Sequence, residues 1–356
     1  MPTICPQLAP IHDLPAILPN LLQDLSIGRA QIVVDQIRGL LDDGNQDSVL
    51  IVTAIDQDSS TNEAASKPLA AAIAILPLQH GESATASNDS ATLLHAGWTA
   101  EVAASERAGI IEIIKKHLDE TLSQRGVHFV QWACDGFSLT EVAEAWFEGL
   151  GFRWVADLEY MTKSLEPAAE KTSRHDIKPP RLRFSPLDWN NESALTMFTD
   201  LVEQTYVETL DCPVLLDYRS AEQTIAGYQS IASFAPECWF TVWKTTPMEN
   251  NDKPIGVAIL ARHNAKRNNT NPSSESGNDA ESSNEVVELV YMGLVPSVRG
   301  QRLGIDLIRS VIATAEGFNA SRLILAVDQQ NDFASDLYRA FGLQPMLEES
   351  VWVKSL

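Results

Sequence analysis

Cysteine is scarce in this 356-residue chain, and the four present (Cys5, Cys134, Cys212 and Cys238) form no CxxC pair. That scatter offers neither a disulfide framework nor a thiolate metal site, and it points to free thiols in a reducing cytoplasm. The seven histidines are equally dispersed, so no metal is expected. Basic residues are few as well. Against 48 Asp and Glu stand 26 Lys and Arg, a net charge of −22, which excludes the clustered phosphate contacts of a nucleic-acid binder. No apolar run approaches the roughly 20 residues needed to cross a bilayer, so no membrane partner is expected. The N-terminus, Met1 to Pro6, also lacks the basic and apolar stretches of a secretory leader. The acidity is compatible with attracting a cationic amine, and equally with general solubility.

What the chain does have is repetition. A helix-like segment from Glu141 to Gly149 is followed by Gly151-Phe152, and one from Asp332 to Phe341 by Gly342-Leu343. Both copies then run through a strand-like stretch into one tripeptide, Lys163-Ser164-Leu165 and Lys354-Ser355-Leu356. The register holds, because 342 less 151 and 356 less 165 both give 191. An internal duplication accounts for this, and the length suits about two domains. The expected organisation is residues 1–165, a Pro- and Ala-bearing linker at 166–180, and a second copy at 181–356. In that copy a strand at Arg181 to Phe184 precedes helices near Glu192 to Glu208 and Ser220 to Ile231. Strands follow at Cys238 to Lys244 and Pro254 to Ala261. Polar insertions interrupt both copies at Asp56 to Lys67, His80 to Ser90 and Asn264 to Asn284, and are read as solvated loops.

The chemistry gathers near the end of the second copy. An apolar strand, Val286 to Leu294, leads through Val295-Pro296-Ser297-Val298-Arg299-Gly300-Gln301-Arg302-Leu303-Gly304 into a helix-like run. A strand, a basic glycine-bearing turn and a helix N-terminus together can hold a pyrophosphate, because the first-turn amides are free and the helix dipole favours an anion. A basic turn before a helix also arises without any ligand. A second strand, Leu323 to Val327, then runs into Asn331, Ala334, Leu337-Tyr338 and Gly342-Leu343.

This ordering over roughly residues 285 to 345 resembles the acetyl-CoA-binding core of the GCN5-related N-acetyltransferase (GNAT) family. The family turn reads Gln/Arg-x-x-Gly-x-Gly/Ala, and here Arg302 stands in place of its first glycine. The resemblance implies an α/β (α+β) fold of two tandem GNAT-like domains. Each would have a mixed, mostly antiparallel sheet flanked by helices, with a splay between the fourth and fifth strands. It implies acetyl-CoA as co-substrate, held by Arg299, Gly300, Gln301, Arg302, Leu303 and Gly304 at the phosphates. The backbone of Met292 and Leu294, freed by a bulge at Gly293, and the side chain of Asn331 would hold the pantetheine arm.

Two residues carry the expected catalysis. Alternation puts Glu288 on the face of Val286, Val290 and Met292, where a desolvated carboxylate would serve as general base. A solvent-facing or salt-bridged glutamate is the alternative. Tyr338, two helical turns after Asn331, would be the general acid toward the CoA thiolate, or else an ordinary packed tyrosine. The Leu294 amide is the candidate oxyanion donor. Thr209 to Pro213 is a candidate lid, and His263 is read as a surface residue. The first copy lacks the set, with Ala104 opposite Arg299, Ser105 opposite Gly300, Thr140 opposite Asn331 and Phe147 opposite Tyr338. It is read as a degenerate copy.

The expected function is acetyl transfer to the primary amine of a small molecule or a protein. The alternative is a non-catalytic acyl-CoA sensor or scaffold. A nucleotide-binding loop of another α/β fold is disfavoured, since the turn has no Gly-Lys-Ser/Thr ending.

Overall fold

A computed structural model describes residues 3–56, 68–77, 89–135, 141–165, 181–229, 233–245, 253–264 and 285–356. Apart from a few end residues, the linker and the three polar insertions lie outside these. The chain divides into two compact units, Met1–Asp157 with Glu348–Leu356, and Leu158–Leu347.

The first unit contains β1 (Ile4–Leu8), α1 (Leu14–Leu21), α2 (Ile27–Asp42), β2 (Val49–Asp56), β3 (Ala70–Ile75), β4 (Ser90–Trp98), α3 (Ala104–Gln124), β5 (Phe129–Asp135) and α4 (Glu141–Gly149). Its strands pair in chain order, antiparallel from β1 to β4 and parallel between β4 and β5. Apolar runs such as Ala70–Ala74 are buried on both faces because helices cover the sheet on each side. The Ser26 hydroxyl caps α2 by accepting from the Arg29 amide.

Next comes β6 (Arg153–Ser164), then β7 (Leu182–Pro186), α5 (Glu192–Tyr206), α6 (Ala221–Gln229), β8 (Trp239–Lys244), β9 (Gly256–Asn264), β10 (Glu285–Leu294), α7 (Leu303–Gly317), β11 (Arg322–Asp328), α8 (Asp332–Ala340) and β12 (Gln344–Ser355). In the second unit β7, β8, β9 and β10 pair antiparallel in sequence, and β10 pairs parallel with β11. The Asn191 side chain caps α5 by accepting from Ala194 N–H. Phe198, Leu201 and Val202 of α5 and Leu307, Ile308 and Val311 of α7 pack into one core with the sheet. No helix among the described residues is long and apolar enough to cross a membrane.

The expected domain boundary differs from the observed division at the last strand of each copy. From Leu158 onward β6 belongs to the second unit, where Leu158–Ser164 pairs antiparallel with Asp328–Arg322. From Glu348 onward β12 belongs to the first unit, where Glu349–Ser355 pairs antiparallel with Asp135–Phe129. Side chains reinforce the second exchange. Trp352 stacks on Phe147 at 4.4 Å between centroids. The buried Arg29 guanidinium donates to Glu349 at 2.5 Å and also to the Ala133 carbonyl. Lys354 donates to Asp119 and to the Leu150 carbonyl. The matching tripeptides noted in the sequence are thus the ends of two exchanged strands.

Removing Glu348–Leu356 should expose the β5 edge, and hydrogen–deuterium exchange should quicken across Phe129–Asp135. Trp352→Ala in the full chain should lower the stability of the first unit by roughly 3 kcal/mol on urea unfolding. Unchanged protection of β5 in the shortened chain would refute the exchange.

Candidate active site

The site is built where β10 and β11 part. Their parallel ladder ends at Leu289 opposite Leu325, while β10 remains paired with β9 as far as Leu294. The β9 register slips between Leu289 and Tyr291, so Val290 is the extra residue of a bulge. The bulge therefore falls three residues before Gly293, where the sequence reading put it. The slip also changes faces. Leu289 sits opposite Leu260 and Tyr291 opposite Ile259, so Glu288 shares a face with Tyr291 and Gly293 rather than with Met292. That face meets α5: the Tyr291 hydroxyl and Thr205 Oγ1 are 2.8 Å apart. Gly293 is required there for room, since a Cβ would lie 2.7 Å from Thr205 Cβ.

Beyond the bulge, Val295 N–H donates to the Ile255 carbonyl on the β9 side. By alternation, Met292 and Leu294 direct their backbone groups toward the gap left by β11. The Leu294 carbonyl is already taken, because Arg299 Nε donates to it at 3.0 Å. The same guanidinium reaches the end of α5, donating to Thr205 O at 2.8 Å, Val207 O at 2.7 Å and Glu208 O at 3.3 Å. Arg299 was expected to contact phosphate. Instead it braces the gap, and its charge favours the negative end of the α5 dipole.

The turn itself keeps the character of an anion cradle. Gly300 has φ of 76°, with nothing within 4 Å of where its Cβ would be. Arg302, standing in the family's glycine position, adopts φ of 59° and so preserves the left-handed backbone at a cost of about 1 kcal/mol. It is also the N-cap of α7 and makes no side-chain cap. Among the described residues, the amides of Gly300, Gln301 and Arg302 donate to no other group, and those of Leu303 and Gly304 open the helix. The Arg302 side chain is exposed. Leu303 contributes its side chain to the core. Gln301 is held sideways, its carboxamide accepting from Lys244 Nζ at 3.0 Å and donating to Ser297 O at 3.3 Å. A cradle of free amides beside two glycines fits a pyrophosphate-bearing co-substrate.

Asn331 and Tyr338 stand across the gap. Asn331 is not on the helix face with Tyr338 but is the N-cap of α8, its Oδ1 accepting from Ala334 N–H at 3.2 Å. Its carboxamide nitrogen remains for a ligand. Tyr338 is 7% exposed, and its hydroxyl has no hydrogen-bond partner among the described residues. Burial, then the nearby Asp211 carboxylate, pushes the phenol up, so it keeps its proton.

Glu288 is not the desolvated carboxylate that strand alternation predicts. Its side chain is 26% exposed, and His263 Nε2 lies 2.7 Å from Oε2. His263, read from the sequence as a surface residue, is the partner of the candidate base. The candidate lid is folded onto the end of β11. Asp328 N–H donates to Asp211 Oδ1 at 3.2 Å, and Cys212 N–H donates to Asp328 Oδ2 at 3.0 Å.

The first unit shows the same parting of strands, after Leu93 opposite Trp132, but side chains fill it. Trp132 lies 4.1 Å from Phe147, and Trp98 lies 4.8 Å from Trp146. His95 is half-buried there, and desolvation, then the charge of Arg29, lowers its pKa to about 4. The residues aligned with the cradle, Ala104 to Gly109, lie inside α3. Thr140 lies outside the described residues.

Parted parallel strands beside a helix N-terminus of free amides form the arrangement expected from the resemblance to acyl-CoA-dependent acyltransferases. Residues 200–343 match the model of the Acetyltransferase (GNAT) family. A GCN5-related N-acetyltransferase from Sphaerobacter thermophilus shares the fold with a TM-score of 0.52 at 15% identity, over 99% of this chain and 95% of that one. A GCN5-related glucosamine N-acetyltransferase region of a fungal multi-domain GH3 β-N-acetylglucosaminidase gives 0.55 at 10% identity, over 99% of this chain and 38% of that one. No curated protein sequence matches.

Replacing Arg299 by Ala leaves four carbonyls without their charged donor and should lower the stability of the second unit by about 2–4 kcal/mol. Arg299→Lys should restore little, because one ammonium cannot span both chain ends. Urea unfolding decides it, and a loss under about 0.5 kcal/mol would contradict the brace.

Alkali offers another test. The Tyr206 phenol is pushed up to about 12 by burial, and burial likewise raises Tyr228, Tyr291 and Tyr338. Groups raised in the folded state stabilise it fully below the unfolded value near 10 and lose that contribution as pH climbs above it. Phenolate absorbance from these four should therefore appear together with loss of tertiary circular dichroism. A smooth titration near pH 10 in the intact fold would be the contrary result.

Proposed function

We propose that the second copy transfers the acetyl group of acetyl-CoA to a primary amine, borne by a small molecule or a protein. The observation that carries this reading is Tyr338: buried, protonated, without an acceptor among the described residues, and across the gap from the free amides of the cradle. Bound acetyl-CoA supplies the activated acetyl thioester. The amides of Gly300 to Gly304 hold its phosphates, with the exposed Arg302 as an adjacent cation. Met292 and Leu294 offer backbone groups along the gap, and the Leu294 amide is the donor suited to a developing oxyanion. The Asn331 carboxamide nitrogen supports the pantetheine arm. Tyr338 holds a proton at Oη for the departing thiolate.

An alkylammonium acceptor must lose a proton before it attacks. Glu288 takes that role in this reading, directly or through water. His263 fixes its orientation, and the shared face with Tyr291 supports its direction toward the parted strands.

Calorimetric titration of acetyl-CoA, paired with release of CoA thiol in the presence of amines, tests the proposal. One site per chain is expected. Tyr338→Phe should retain binding and lose about 10²-fold in turnover, and Glu288→Gln a similar factor. No binding by the wild-type protein would overturn the reading. Full activity of Tyr338→Phe would remove the tyrosine from it.

A further inference from the structure

We propose that Arg181 is a positioning residue for the co-substrate's pyrophosphate. Its guanidinium holds the carbonyl side of the turn at 300–303 and neutralises Asp306, so that the amide side of the turn is presented to the anion. The inference rests on the acyl-transfer reading for the identity of the ligand, and on the geometry of the turn for the rest. Arg181 immediately precedes β7 and is fixed by its own backbone, because its carbonyl accepts from Thr245 N–H at 2.7 Å. From there the side chain crosses to the turn. Nη2 donates to Arg302 O at 3.1 Å, and Nη1 approaches Gln301 O at 3.5 Å. Nε donates to Asp306 Oδ2 at 2.6 Å. Lys244, opposite Leu182 in the neighbouring strand, donates to the Gln301 carboxamide oxygen at 3.0 Å.

A trans peptide points its C=O and its N–H to opposite sides. Gln301 O belongs to the same peptide as the Arg302 amide, and Arg302 O to the same peptide as the Leu303 amide. With both oxygens turned toward Arg181, those two amides point away from it. The Arg302 amide donates to no described residue, and the Leu303 amide opens α7. Arg302 itself has φ of 59° and ψ of 22°, a conformation that a side chain disfavours and that persists only where its surroundings fix it. The bond from Arg181 to the Arg302 carbonyl is such a fixing contact.

Charge leads to the same residue. Asp306 is the acidic residue in the first turn of α7. A bare carboxylate there would repel an anion bound at the helix N-terminus. Its side chain is 14% exposed and meets two guanidinium groups, Arg181 at Oδ2 and Arg309 Nη1 at Oδ1, the latter at 2.9 Å. Arg309 lies in turn over the Phe341 ring, 5.8 Å from its centroid. The Arg181 side chain is 52% exposed, and an exposed ion pair contributes little to stability. Its effect therefore belongs to anion binding rather than to unfolding.

The test titrates acetyl-CoA and inorganic pyrophosphate into the full chain by calorimetry. Arg181→Ala should weaken both ligands by about tenfold. Adding Asp306→Asn to R181A should recover about threefold of that loss, because the unpaired carboxylate is gone. A general disturbance of the turn would not be mended by removing a second side chain from it. Should R181A fail to fold, Arg181→Lys decides: it keeps a cation beside Asp306 but cannot span both carbonyls, and should still cost about threefold. Wild-type affinity in R181A, or in R181K where that variant decides, overturns the proposal. So does a double variant no better than R181A. Wild-type protein that binds pyrophosphate but not acetyl-CoA defeats the acyl-transfer reading instead, and Arg181 is then judged by the pyrophosphate titrations. Wild-type protein that binds neither ligand overturns both.

Discussion

The site depends on one guanidinium. Arg299 joins the last carbonyl of β10 to three carbonyls at the end of α5, and so settles two demands at once. A strand that leaves its neighbour has backbone groups with nowhere to bond, and a helix end has the same difficulty. With Leu294 O answered by Arg299, β10 has no need of β11 past Leu289, and the gap persists without collapsing. The free amides of the cradle, the direction of Tyr291 and the room required at Gly293 all follow from keeping these chain ends where they are.

Much of the fold was legible from the sequence because its signals are local. The alternation in Val286 to Leu294, the helical spacing after Gly304 and the repeat at 191 residues depend on near neighbours or on simple comparison. The observed β8, β9, β10, β11 and α8 fall within a few residues of those expectations. What was not legible depends on pairing at a distance. The register slip at Val290 reverses the face of every later residue, and nothing in the sequence marks Val290 in preference to Gly293. The bond between His263 and Glu288 spans a 20-residue insertion at 265–284, and Asp211 meets Asp328 across 117 positions. Such contacts leave no periodic trace. The employment of Arg299 was missed for a related reason: a basic residue in a glycine turn looks the same whether it faces an anion or the chain's own carbonyls.

The two copies show how little of a fold is bound to its chemistry. Both part their central parallel strands at equivalent points, after Leu93 and after Leu289. In one, Trp132, Phe147 and a neutral His95 occupy the space, and α3 runs through the positions where a cradle would be. In the other the parting strands are edged by backbone amides that donate to no described residue. Filling a gap with aromatic rings gains burial and packing, of order 25 cal/mol per Å² of apolar surface. An open, polar gap gives up that gain, and such a sacrifice is what a functional site requires.

The exchange of final strands bears on the order of events during synthesis. Residues 1–157 emerge first, yet their sheet lacks its last member until Glu348–Leu356 has been made. Until that strand has been made, β5 therefore presents an unpaired edge, the kind of surface that recruits other chains. The early half must wait, partly finished, for the late half. Completion of the two units is thereby coupled in time.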